Sequence, residues 1–153
     1  MSAERVLVDT SVWVEYFRGG NPSLSARLDA LMKTGRVSIP TVVLAEMIQG
    51  ARTETEIRTI EDLQDAFTVI DQKAGTWIDA GKLSYSLRRK GKSIHLTDCY
   101  IAVIARENGC AILTLDAHFR EIREVLETLY LESIPGMKKS IVKGLKTPVK
   151  NCR

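Results

Sequence analysis

Four short runs rich in Val, Ile and Leu, at residues 5–9 (RVLVD), 37–39 (VSI), 67–70 (FTVI) and 111–115 (AILTL), are separated by segments whose apolar residues recur at helical spacing. The runs are short and lack sustained polar alternation, so strands built from them need cover on both faces. Parallel sheets between helical layers supply that cover. The pattern therefore predicts an α/β fold with a central, mainly parallel sheet flanked by helices in three α/β/α layers.

The intervening segments carry their own start and stop signals. Thr10 and Ser11 open a helix through Phe17 that Gly19 and Gly20 end, and Pro22 and Ser23 open a second whose face is Leu24, Leu28, Leu31 and Met32. Pro40 opens a third helix reaching Ile48, and Ile57, Ile60, Leu63 and Phe67 mark a fourth. A long helix from Gln72 to Arg89 is expected to turn Ala74, Trp77, Ile78, Gly81 and Tyr85 to one side and to break at Gly91. Thr97–Asn108 reads as a helix with Gly109 as its C-cap, and Asp116–Glu127 as another that leads into a further apolar segment, Leu129–Leu131. There is no internal repeat.

Composition narrows the class. The chain has 153 residues, of which 44% are hydrophobic and 27% charged, enough for one domain with its own core. Its longest stretch without a charged side chain is Val37–Ala45, much shorter than the roughly 20 apolar residues of a membrane span. Glu4, Arg5, Asp9 and Glu15 interrupt any secretory h-region, and Cys99, Cys110 and Cys152 lack metal-ligand spacing. A cytoplasmic location is expected. The formal charge of +3 divides unevenly: residues 1–136 carry −3 and the last 17 carry +6, with no acid after Glu132. A domain over residues 1–133 and a basic extension over 134–153 are expected.

Four acids stand out against this frame. Asp9 ends the first apolar run and Asp116 follows the last, so both should sit at the carboxyl edge of the sheet, where α/β folds gather ligands. Asp98 opens the run CYIAVIA, and Glu46 is the only ionisable residue between Val37 and Ala51. Three have ordinary structural explanations. Asp9 suits a helix cap, Asp98 suits a helix first turn, and Asp116 suits either a cap or a pair with Arg120. Glu46 does not, because its helical neighbours Val42, Val43, Gln49 and Gly50 offer no cation to offset desolvation.

As a set, the acids suggest one pocket. Two carboxylates about 4 Å apart repel by roughly 4 kcal/mol at an effective dielectric near 20, so four together require a cation. Oxygen donors without Cys or His at ligand spacing favour Mg²⁺ or Mn²⁺, ions whose usual business is phosphoryl chemistry. Hydrolysis of a phosphodiester by water, with no side-chain nucleophile, is the reaction such a pocket serves.

In this order, VLVDTSVW with Asp9, IPTVVLAEMIQG with Glu46, LTDCYIAVIA with Asp98 and ILTLDAHF with Asp116 resemble the PIN-domain nucleases, most closely the VapC-type toxins of toxin–antitoxin pairs. The resemblance spans about Val6 to Leu131. It implies a Mg²⁺- or Mn²⁺-dependent endoribonuclease with Asp9, Glu46 and Asp98 at the metal and Asp116 as a fourth, more variable acid. By the same matching, Ser11 and Thr114 occupy hydroxyl positions that orient a carboxylate or a water. The resemblance also implies a homodimer and an antitoxin that inserts a peptide over the site. The basic extension from about Ile134 departs from the family's usual ending.

Arg88, Arg89, Lys90 and Lys92 form the densest basic run before the tail, suited either to an RNA groove or to a solvated helix end. Rival functions follow from other residues. His95 and His118 could pair as acid and base in metal-free RNA cleavage. An aspartyl phosphatase would want an acid where Ser11 stands. A non-catalytic RNA-binding or protein-interaction domain would leave the acids as caps.

Overall fold

The computed structural model describes residues 4–133 and 149–151. Its sheet has five strands, β1 (Val6–Val8), β2 (Val37–Pro40), β3 (Thr68–Ile70), β4 (Ala111–Thr114) and β5 (Val149–Asn151), in the order β3-β2-β1-β4-β5. Every pairing is parallel; Leu7 of β1 lies opposite Ser38 on one side and Ile112 on the other. Among the described residues, seven helices flank the sheet: α1 (Thr10–Arg18), α2 (Pro22–Lys33), α3 (Thr41–Gln49), α4 (Glu54–Ala66), α5 (Thr76–Arg89), α6 (Leu96–Glu107) and α7 (His118–Ser133). The expected α/β class with a parallel sheet is therefore correct.

Topology determines where a ligand can sit. From β1 the chain steps outward to β2 and β3, then returns to the opposite flank of β1 to lay down β4. That reversal opens a crevice above the carboxyl ends of β1 and β4. The two strands are buried along their whole length, whereas β3, at the sheet edge, buries only Ile70.

One helix is enclosed on all sides. In α6 every residue from Cys99 to Ala105 is buried, which a surface helix with a single apolar stripe would not show. Its neighbours include β4, α5 and α7. Enclosure fixes the axis of α6 and so fixes what its first turn presents. Ile104→Ala should cost about 2–5 kcal/mol in chemical denaturation, the range for truncating a fully packed aliphatic residue. A loss below about 1 kcal/mol would mean that the site around Ile104 collapses freely.

The structure departs from the sequence expectation in several places. Helix α5 begins at Thr76 rather than Gln72, and its buried face is Thr76, Ala80, Leu83 and Leu87. The side expected to carry Ala74, Trp77, Ile78, Gly81 and Tyr85 is not the buried one: Trp77 is 40% exposed, and Ile78 and Tyr85 are each 64% exposed. The small Thr76 and Ala80 allow close approach to α6, and Trp77 stacks flat on Tyr100 with ring centroids 4.1 Å apart. The Thr76 hydroxyl fastens this end, donating to Glu107 Oε1 at 2.6 Å while accepting the Lys73 backbone N–H at 2.8 Å.

Helix α7 continues through Leu129–Leu131 to Ser133, since the sequence offers no Gly or Pro before Pro135 to stop it. The C-cap of α6 is Asn108, one residue earlier than the expected Gly109, which follows it with φ +63°. Most of the basic extension lies outside the described residues, but Val149–Asn151 within it forms β5 against β4.

Candidate active site

Asp9 stands where β1 turns into α1. It occupies the N-cap position yet makes no side-chain capping bond, so the simple cap explanation fails. Its Oδ2 instead accepts the Ser11 hydroxyl at 2.9 Å and the Thr114 hydroxyl at 2.8 Å. Each hydroxyl has a second engagement: Ser11 Oγ accepts the backbone N–H of Leu115 at 3.1 Å, and Thr114 Oγ1 accepts that of Asp116 at 2.9 Å. The end of β1 is thereby latched to the end of β4 through the carboxylate between them. Burial raises the Asp9 pKa, the hydroxyls of Thr114 and Ser11 oppose the rise, and the charge of Asp116 adds to it.

The other acids arrive from helices. Glu46 lies on α3, and its Oε1 accepts the Thr10 hydroxyl at 2.8 Å. Asp98 lies in the first turn of α6, where the helix dipole alone would hold its pKa down. It is instead pushed up to about 6, chiefly by burial, then by the negative charges of Asp116, Asp9 and Glu46, with His95 opposing. Asp98 thus lies within electrostatic reach of the other three carboxylates. Asp116 also serves the local turn: its Oδ1 accepts the His118 backbone N–H at 2.9 Å. Among the described residues, Asp98, Asp116 and His118 place one ligand atom each within 4.8 Å of one another.

These groups suit a divalent cation. Carboxylates whose ionisation is opposed by burial and by one another gain from a neighbouring positive charge, and Asp9 Oδ2 is already oriented by two hydroxyls. Cys99, next to Asp98, is a poor nucleophile here, since burial and that acid push its thiol up to about 11.

The basic run is split by the structure. Arg88, Arg89 and Lys90 are exposed, while Lys92 is half-buried and pairs with Glu121 of α7 at 3.4 Å. Arg88 and Arg89 line a concavity of about 580 Å³ with Gly81, Ser84, Tyr85 and Leu96. Leu96 begins α6, two residues before Asp98.

A family model described as PIN domain matches residues 6–125, a stretch that contains all four acids. The chain belongs to the PIN-domain family. Among curated PIN-domain relatives, Ribonuclease VapC11 of Mycobacterium tuberculosis is 27% identical over 124 residues, covering 78% of this chain and 92% of its own length. Ribonuclease VapC21 of the same organism is 26% identical over 124 residues, covering 79% of this chain and 88% of its own length. Of solved structures, DNA-bound VapBC from Salmonella typhimurium superposes with a TM-score of 0.69 at 19% identity, covering 97% of this chain and 98% of that one. That likeness supports the PIN fold.

Two residues of this PIN domain join the pocket without a sequence signal that assigns them to the metal. Thr10 has the signature of a helix opener, yet its place beside Asp9 at the start of α1 lets it reach Glu46. His118 suggests acid–base chemistry as a residue type. Its spacing of two from Asp116, in a turn closed by the Asp116 carboxylate, brings it to the acids. Ser11 and Thr114, the hydroxyls that the resemblance points to, both touch Asp9.

Proposed function

We propose that this PIN domain is a divalent-metal-dependent endoribonuclease, the toxin of a toxin–antitoxin pair, with Asp9, Glu46, Asp98 and Asp116 as its metal-holding and catalytic acids. The observation that carries the reading is geometric: acids from separate elements converge, with ligand atoms of Asp98 and Asp116 within 4.8 Å of one another, Asp9 bonded to the Thr114 that also holds the Asp116 amide, and Glu46 bonded to Thr10 beside Asp9. The relatives named as ribonucleases span nearly the same length. All of the proposed groups fall within the domain proposed for residues 1–133.

Asp9, Glu46, Asp98 and Asp116 would hold Mg²⁺ or Mn²⁺, which when bound would supply activation of a water and neutralisation of charge on the phosphate. The protein's own part is positional. Ser11 and Thr114 fix the lone-pair directions of Asp9, Thr10 does so for Glu46, and enclosed α6 fixes the helix whose first turn presents Asp98. Arg88 and Arg89 offer phosphate contacts beside the start of α6, and Tyr85, with Arg89 5.9 Å from its ring, offers an exposed face for a base. Lys90 adds exposed charge, while Lys92 contributes chiefly by tying the α5–α6 turn to α7.

Proposed partners are RNA, a cognate antitoxin that covers the acids, and a second copy of the chain. The location proposed is the cytoplasm. No helix among the described residues is long and apolar enough to cross a membrane.

The test is cleavage of a mixed RNA pool in chelator and after return of Mg²⁺ or Mn²⁺. Cleavage restored only by the metals is expected. Undiminished cleavage in chelator would sink the proposal and favour the metal-free alternative built on His95 and His118, of which His118 adjoins Asp116. Divalent-ion binding unchanged by Asp9→Asn and Asp98→Asn would favour the non-catalytic domain instead.

A further inference from the structure

His118 differs from the other donors of this pocket in offering nitrogen, and the turn that carries it does not depend on its ring. Asp9 and Glu46 have hydroxyl partners, and Asp116 is fixed by the backbone N–H of His118 at 2.9 Å, so the turn does not need the imidazole. The ring nevertheless lies on the acids. Its Nδ1 is 3.4 Å from Asp116 Oδ1, and one imidazole nitrogen, one Asp98 oxygen and one Asp116 oxygen lie within 4.8 Å of one another.

An ordinary ion pair explains this arrangement poorly. The two side chains are 51% and 33% exposed, and a pair so wetted contributes little to stability. Three ligand atoms spaced closely enough to share one ion, at the rim of a pocket that the family resemblance already assigns to a metal, have a more specific use.

We propose that His118 joins Asp98 and Asp116 in a mixed oxygen–nitrogen cation position at the rim of the carboxylate pocket, tuning this chain toward a first-row transition ion such as Mn²⁺ rather than Mg²⁺. The inference rests on the metal-dependent reading above and deepens it by naming what selects the ion. Mg²⁺ binds hard oxygen and gives up water reluctantly, so an imidazole adds little to its affinity. Transition ions accept imidazole nitrogen readily, so the same side chain widens the gap between the two metals. His95, at the N-cap position of α6, is the other histidine near Asp98 but does not belong to the three-donor group.

The experiment uses the full chain, with Mn²⁺ and Mg²⁺ as probes. Mn²⁺ binding is followed by electron paramagnetic resonance, ¹⁴N coupling by its pulsed form, and Mg²⁺ affinity by competition. Wild type should show nitrogen coupling to bound Mn²⁺. His118→Asn should lose that coupling and about tenfold in Mn²⁺ affinity, with Mg²⁺ affinity changed by less than about twofold. His95→Asn should keep the coupling. Bound Mn²⁺ without nitrogen coupling in wild type would overturn the role of His118 and leave the four-carboxylate reading standing. So would coupling that survives in His118→Asn, or coupling that disappears in His95→Asn. Absence of any divalent-ion binding would overturn both.

Discussion

Asp98→Asn is expected to reduce RNA cleavage by about a thousandfold or more while making the metal-free protein more stable at neutral pH. Loss of activity follows if the carboxylate holds the ion that activates water, a contribution worth several kcal/mol. The gain in stability follows from the pocket's own electrostatics. The Asp98 pKa is about 6 in the folded chain against 3.8 for an unperturbed aspartate. Between those values the folded state holds the extra proton, so raising the pH through this interval favours unfolding, and the penalty is complete above it. Asparagine does not ionise and escapes the penalty. Allowing for solvent screening of a half-buried group, a gain of about 1 kcal/mol, or roughly 3 °C in Tm, is expected at about pH 7.5. The gain should fade toward about pH 4 and below, as aspartic acid becomes neutral in both states. Adding Mg²⁺ or Mn²⁺ should stabilise wild type through linkage and do much less for the variant. An Asp98→Asn protein that cleaves RNA normally, or melts lower than wild type at every pH, would remove Asp98 from the shared pocket.

The second large effect is expected from a residue that need not touch RNA. Thr114 is fully buried, donates to Asp9 Oδ2 and accepts the Asp116 backbone N–H. Thr114→Val keeps the shape while deleting both bonds. Asp9 then loses one of two hydroxyls that favour its charged form, and the Asp116 amide loses its acceptor. Metal affinity and activity should each fall about 10–100-fold, the usual cost of removing a group that orients a ligand. Thr114→Ser, which retains a hydroxyl, should recover most of the loss. Divalent-ion titration of the three proteins separates this from a packing defect. A serine variant as poor as valine would mean that the methyl group matters and the hydroxyl does not.

What is legible in the sequence follows from which interactions are local. Strands β1 and β4 announce themselves because burial on both faces demands unbroken Val, Ile and Leu, and the helices because their start and stop residues act within a turn. The acids are legible for a related reason. Topology brings strand ends to one edge, and Glu46 lacks a local partner. The buried side of α5 is not legible. Two stripes compete there, and the small Thr76 and Ala80 prevail because they permit close contact with α6, a distant segment whose position no local pattern encodes. Residues Val149–Asn151 carry no strong strand signature either; they gain their state by pairing with β4. The meeting of Thr10 with Glu46 is likewise a tertiary event, spanning 36 positions.

The bond from Thr114 to Asp9 joins residues 105 positions apart. A ribosome must therefore release nearly all of the domain before Asp9 gains its second hydroxyl; until then only neighbouring Ser11 can orient that carboxylate, and the β4 side of the site is missing. For a protein proposed to destroy RNA, that ordering protects the message being translated: the weapon is assembled only after its own synthesis is almost done.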